Sequence, residues 1–144
     1  MESLAGRYLI FELGGQDWAV DIRAVREFVA PLPVTCVPQS PEHVLGAFNL
    51  RGRVLPLLDP RQPLGLPPGR PEQGVFVVLS REREEGETLF AVLVDKVHEV
   101  LSLPPEQCSP PPELPGGPSE LLEGVGREEE RLLFIVDLGR LLAA

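Results

Sequence analysis

Two stretches of this chain carry one pattern twice, and that repetition limits the possible folds more than any other feature. Residues 18–29 fall on 90–101 at an offset of 72, with four identities (Ala19, Val20, Val25 and Glu27 on Ala91, Val92, Val97 and Glu99) and four apolar-for-apolar pairs. Further on, Arg53 to Asp59 falls on Arg131 to Asp137 at an offset of 78, and Gly46 and Gly124 keep that second offset. A period this long points to two copies of one supersecondary unit, each too small to bury its apolar face alone. Any two amphipathic stretches share an apolar pattern, but the matched Glu, Asp, Gly and Arg need a better reason. Two similar halves also create a seam, and seams are where partners bind.

Composition sets the bounds. At 144 residues the chain is one domain's worth, and its Leu, Ile, Val and Phe total 49, enough for a core. Seventeen Pro and 14 Gly punctuate it often, which suits short strands and tight loops better than long helices. A net charge of −9 argues against nucleic acid, whose binding needs a basic face, and against an anionic membrane surface. No apolar run approaches the ~20 residues of a membrane span, and Met1 to Arg7 lacks the regions of a signal peptide. The expectation is a cytosolic chain. Cys36 and Cys108 are also 72 apart, and in a reducing compartment such a pair is expected to stay unbridged. Two Cys and two His without close spacing make no zinc site. The sequence calls for no metal or cofactor.

Read along its length, the chain offers strands at Arg7 to Leu13 and Asp17 to Ile22 around Gly14-Gly15. The three-residue recurrence of Ile22, Val25 and Phe28 predicts a short helical turn with one apolar face. Val44 to Asn49 and Val54 to Asp59 read as strands around Arg51-Gly52-Arg53, and Pro60 to Pro71 as the connector. Gly74 to Ser80 and Thr88 to Asp95 are strand-like, separated by a charged loop at Arg81 to Glu87. Ser109 to Pro118, with five prolines, is a loop. Leu121 to Val125 and Arg131 to Asp137 make a last hairpin, and Leu138 to Ala144 a short terminal helix. The offsets differ by six, which places an insertion between Cys108 and Gly124, most simply in that proline-rich loop.

No catalytic constellation emerges. Asp21, Asp59, Asp95 and Asp137 each stand at or near the end of an apolar strand, where Asp ordinarily satisfies turn backbone groups. No nucleophile elbow or phosphate-cradling glycine loop is present. His43 and His98 read as surface or loop residues. Arg51 stands apart, in a compact turn with Gly46 and Gly52 on either side. Gly52 fits a left-handed turn and Gly46 a close backbone approach. A guanidinium held there can pair with a carboxylate and present donors to a partner. At an offset of 78 the second copy has Glu129 in place of Arg51, which marks the first half as the specialised one.

These residues resemble the CheW-like domain family of bacterial chemotaxis. The resemblance runs through Phe11-Glu12-Leu13, Ala19 to Ile22 with Val25 and Glu27, and Val37-Pro38 with Pro41. It continues through Gly46 to Asp59, then Val94 to Val97 with Val100-Leu101, and Gly124-Val125 before Leu133 to Leu138. The Asn49-Leu50-Arg51-Gly52 turn, followed by an apolar strand ending in Asp, is its most specific part. Pro60 departs from the family's usual Leu before Arg61, so the strand is expected to stop at Asp59.

The resemblance implies two packed five-stranded SH3-like β-barrels with short helical turns and a short C-terminal helix. The whole of 1–144 would be one domain, with roughly 7–66 as first barrel and 72–144 as second, strands exchanging between them. It implies a non-catalytic adaptor between chemoreceptors and the histidine kinase CheA, recruited from the cytoplasm to receptor arrays, without nucleic acid or membrane insertion. The absence of kinase segments fits a stand-alone coupler. Receptor binding would fall on Glu27 and Arg51, with Asn49 in the same turn. Leu9, Ile22, Val25 and Phe28 would line an inter-barrel groove for a receptor helix, joined by Val97, while Gly46 and Gly52 shape the turn. No surface is assigned to the kinase. The alternatives are a coupler for another chemosensory array, such as one governing twitching motility, and a small ligand-binding barrel or enzyme.

Overall fold

The structure, a computed structural model, describes residues 6–112 and 121–143. Among the described residues, eleven strands form two sheets. Strands β1 (Arg7–Leu13), β2 (Gln16–Asp21), β8 (Lys96–Ser102), β9 (Cys108–Ser109), β10 (Leu122–Glu128) and β11 (Arg131–Val136) build one, in the order β8-β1-β2-β11-β10-β9. Strands β3 (Val25–Val29), β4 (Val44–Leu50), β5 (Arg53–Leu58), β6 (Val75–Arg83) and β7 (Gly86–Val94) build the other, in the order β3-β6-β7-β5-β4. The expected five strands per unit become six and five. The extra strand is the two-residue β9, whose counterpart in the second sheet is a lone bridge from Thr35 to Ala47. A short helix, α1 (Leu138–Ala143), follows β11.

Each sheet takes strands from both halves of the sequence. The β1–β2 hairpin joins β8 to β11, and the β6–β7 hairpin joins β3 to β5. Two parallel contacts stitch this exchange: Ile135 beside Ala19, and Leu57 beside Ala91. At the repeat's own offsets these are the same pair. Val25 opposite Leu79 and Val97 opposite Phe11 correspond as well, with the valines 72 apart and their partners 68 apart (11 to 79), each pair next to a bulge. Neither 7–66 nor 72–144 completes a sheet from its own strands.

Three apolar clusters follow from the alternation of the strands. Phe48, Leu55, Leu57, Phe76, Val78, Ala91 and Leu93 come from one sheet alone, so that sheet curls around them. Ile10, Ala19, Leu133 and Ile135, with Leu103, fill the other. The opposite faces meet in a shared layer that includes Leu9, Phe11, Trp18 and Val20 from one sheet and Val77, Leu79, Phe90 and Val92 from the other. The connector contributes Leu64, and α1 contributes Leu141.

Several local expectations are corrected. The 3₁₀ turn covers only Ile22–Ala24; Val25 and Phe28 lie on strand β3. Their spacing of three still puts them on one face, because the bulge between Val25 and Glu27 adds a residue. Arg81 to Glu87 is mostly strand: β6 and β7 pair to Arg83 opposite Gly86, leaving a two-residue turn. His43 is buried at 4% exposure, and its carbonyl accepts the Asp59 N–H. The insertion begins earlier than expected. Thr35 faces Ala47 as Ser109 faces Val125, an offset of 74 (35 to 109), so two of the six residues enter before Ser109, beside the 3₁₀ turn Pro105–Gln107. Cys36 and Cys108 are therefore not structural counterparts, and both are free thiols. The rest of the insertion falls after Ser109, and residues 113–120 of that stretch lie outside the described residues.

Candidate functional site

The β4–β5 hairpin closes on the pair Leu50–Arg53, leaving Arg51-Gly52 as a two-residue loop. Both loop residues have positive φ, 49° and 88°, the signature of a type I′ turn whose twist matches its strands. Asn49 supports it by accepting the Gly52 N–H on Oδ1 at 2.8 Å. At the other end of β4, a Cβ on Gly46 would lie 2.3 Å from the Thr35 carbonyl oxygen, and its φ is 152°. The chain can cross there only because that residue is glycine.

This geometry delivers Arg51 to Glu27. The Arg51 guanidinium donates through Nη2 to Oε2 of Glu27, 24 positions away on β3. The pair sits on the rim of a recess of about 390 Å³ at one end of the curled sheet. Leu50, Leu55, Val78 and Leu89 form its floor, and Arg26, Arg53 and Glu87 complete the rim, with Arg26 Nε 2.8 Å from Glu87. Phe28 follows Glu27 on the same edge strand, half exposed at 50%.

The expected groove residues separate into two groups. Ile22, Val25 and Val97 are half-buried and pack on the shared layer between the sheets. Leu9 is a correction: at 1% exposure it lies inside that layer and offers no surface to a partner. Phe28 and its counterpart Val100, 47% exposed, carry the same face outward on the edge strands β3 and β8.

The second copy repeats the ion pair with its parts moved. Glu99, at the place of Glu27, accepts from Arg131, which also donates to Asp17, at 2.8 and 2.9 Å. Arg131 corresponds to Arg53, and Glu129 takes the positive φ (56°) of Arg51. The hydrogen bond to Glu99, opposed by partial burial and reinforced by Asp17, holds Arg131 protonated above its ordinary range.

The four strand-end aspartates act on backbone and neighbouring side chains. Asp21 accepts from the Arg23 N–H and guanidinium. Burial raises its pKa, but the Arg23 hydrogen bonds outweigh that and leave the carboxyl below its usual range. Asp137 accepts the Arg140 N–H, Asp95 that of Gly14, and Asp59 that of Gly69. Sequence reasoning missed the residue joining two of them: Arg61 is 4% exposed and donates to both Asp59 and Asp95. Among the described residues, Glu12, Asp17 and His98 form the one convergence of carboxylate and imidazole groups. His98 Nε2 lies 3.5 Å from Glu12 and 3.7 Å from Asp17, and Asp17 is already engaged by Arg131, so this is a surface charge network.

The chain is similar over nearly its whole length to chemotaxis proteins. The family description "CheW-like domain" matches residues 7–144. A chemotaxis protein CheW of Klebsiella aerogenes is 32% identical, covering 99% of this chain and 85% of its own length. One from Rhizobium meliloti is 33% identical over 92% of this chain and 85% of its own. The crystal structure of the scaffolding protein TtCheW from Thermoanaerobacter tengcongensis superposes with a TM-score of 0.82 at 25% identity, covering 96% of this chain and 93% of that one.

Proposed function

The chain belongs to the CheW-like domain family, and from that premise we propose that it couples chemoreceptors to the histidine kinase CheA by binding alone. The observation that carries this reading is the meeting of Arg51 with Glu27 on strand β3, the edge strand that also carries the exposed Phe28 and starts at Val25, which packs on the layer where the two sheets abut. An amphipathic helix can lay apolar side chains on Phe28 and the half-buried Val25 and Val97, while the charged rim fixes its register. An exposed pair is worth only ~0–1 kcal/mol to stability, so its value lies in positioning. Recruitment to membrane-associated receptor arrays then follows from the partner. Among the described residues, no helix is long and apolar enough to cross a membrane.

Phe28 is the residue to test. Val25 packs on the shared core, so an aspartate there would disturb the fold and the surface together. Phe28→Ser removes exposed apolar area and should leave the melting temperature nearly unchanged. In calorimetric titrations with a helical receptor-tip fragment, affinity should fall about tenfold or more, the scale of a central interface residue. Native affinity in a folded Phe28→Ser protein would remove the groove from the account.

A further inference from the structure

We infer that Arg61 is a positioning residue: a buried guanidinium that sets how the two sheets sit on one another, and through them the partner-binding seam. Its surroundings are built for this. Nη1 donates to Asp59 at 2.9 Å and to the Leu93 carbonyl at 3.0 Å, while Nη2 donates to Asp95. Asp59 directly follows strand β5 of one sheet. Asp95 is the single residue between β7 and β8, the step at which the chain leaves one sheet for the other. Asp95 is also fixed from the far side, since Oδ2 accepts the Gly14 N–H and its own N–H donates to the Glu12 carbonyl. One planar cation thus ties β5 and β7 of one sheet to the β1–β2 turn of the other.

The connector seals this cation in. Gly69 donates its N–H to Asp59 Oδ2 at 2.9 Å, and a Cβ there would lie 2.6 Å from Arg61 Nη1. Any other residue at 69 would have to push the guanidinium aside. Leu66 rests 3.7 Å from where a Cβ of Gly14 would be, and Leu64 enters the shared layer. The proline-rich connector therefore acts as a lid over a buried ion cluster as well as a tether. The second half has no buried equivalent among the described residues: at an offset of 78 Gly139 stands where Arg61 does, and the neighbouring Arg140, which lies 3.7 Å from Asp137, is exposed.

The geometry reaches the seam through β8. Val97 lies two residues beyond Asp95 and packs on the shared layer that also receives Val25 of β3. A turn of the Asp95 elbow would move Val97 and Val100 relative to Val25 and Phe28. Lysine cannot reproduce this arrangement, since its ammonium cannot span two carboxylates and a carbonyl as a rigid fork. The consequence for partner binding rests on the seam reading proposed above; the consequence for sheet geometry does not.

Two measurements separate these claims. With both native cysteines changed to serine, spin labels at Val54→Cys and Leu132→Cys, exposed positions on β5 and β11, report the distance between the sheets. Arg61→Met and Arg61→Lys should each shift or broaden that distribution, and receptor-tip affinity should fall about tenfold, a usual scale for remote positioning residues. Leu133→Ala, inside one curled sheet, serves as a destabilised control and should keep both distance and affinity. If Arg61→Met does not fold, Arg61→Lys is decisive. A native distance distribution in a folded Arg61 variant overturns the positioning role. A shifted distribution with native affinity upholds that role and overturns the seam as the receptor site.

Discussion

Arg51 occupies a backbone conformation that costs an ordinary residue about 1 kcal/mol, and its exposed ion pair returns no more than that. A residue chosen for stability at φ 49° would be glycine or asparagine. Arg51→Gly should therefore melt at the same temperature as the parent or up to a few degrees higher, measured by circular dichroism, while losing receptor affinity. A clear drop in melting temperature would make the Arg51–Glu27 contact structural. The sequence already singled out this residue, because an Arg at the turn of an apolar hairpin, with glycines on both sides, is a local signal. Arg61 gave no such signal. Its burial depends on Asp59, Asp95 and Gly69 meeting in space, and nothing in their spacing announces that. Leu9 failed differently: alternation says which residues share a face, but not whether that face looks onto solvent or onto a second sheet.

Among the elements, hairpins were the most legible, since turn glycines and alternation are local properties. The β6–β7 hairpin ran further than expected because the backbones of residues 81–83 pair with 86–88 while Glu82, Glu84, Glu85 and Glu87 stay exposed. The segment from Ile22 to Phe28 was misread as helical because a bulge and a helical turn both produce a spacing of three. Strand β8 was missed for a related reason, its partner β1 being more than 80 positions away. Strand β4 has the sharpest local constraint. A methyl at Gly46 would drive against the Thr35 carbonyl and break the bridge in which Thr35 and Ala47 exchange hydrogen bonds of 2.9 and 2.8 Å. Gly46→Ala should cost about 1–3 kcal/mol by chemical denaturation, the range for overpacked and strained positions. A loss below about 0.5 kcal/mol, the range for surface substitutions, would mean that the crossing relaxes freely.

At the scale of the molecule, duplication and exchange act together. Matching each strand to its repeat gives both sheets the same order, yet each borrows its hairpin from the other half. The repeat was visible in the residues, whereas the exchange was not, because offsets carry no information about which copy supplies a strand. Segments 1–66 and 72–144 expressed separately should each lack cooperative melting, since each leaves a sheet without its two central strands. Mixing them should recover some structure. A sharp unfolding transition in either segment alone would count against the exchange as the basis of stability. The exchange also means that the seam is bordered by both halves, so a partner docking there reads the whole molecule. The central claim, coupling through binding, is tested most directly by kinase activity in reconstituted receptor arrays. Adding this chain to receptor and CheA should raise ATP turnover only when all three are present, and Arg51→Gly should not support the rise. Equal turnover with and without the chain, at concentrations that saturate receptor binding, would contradict it.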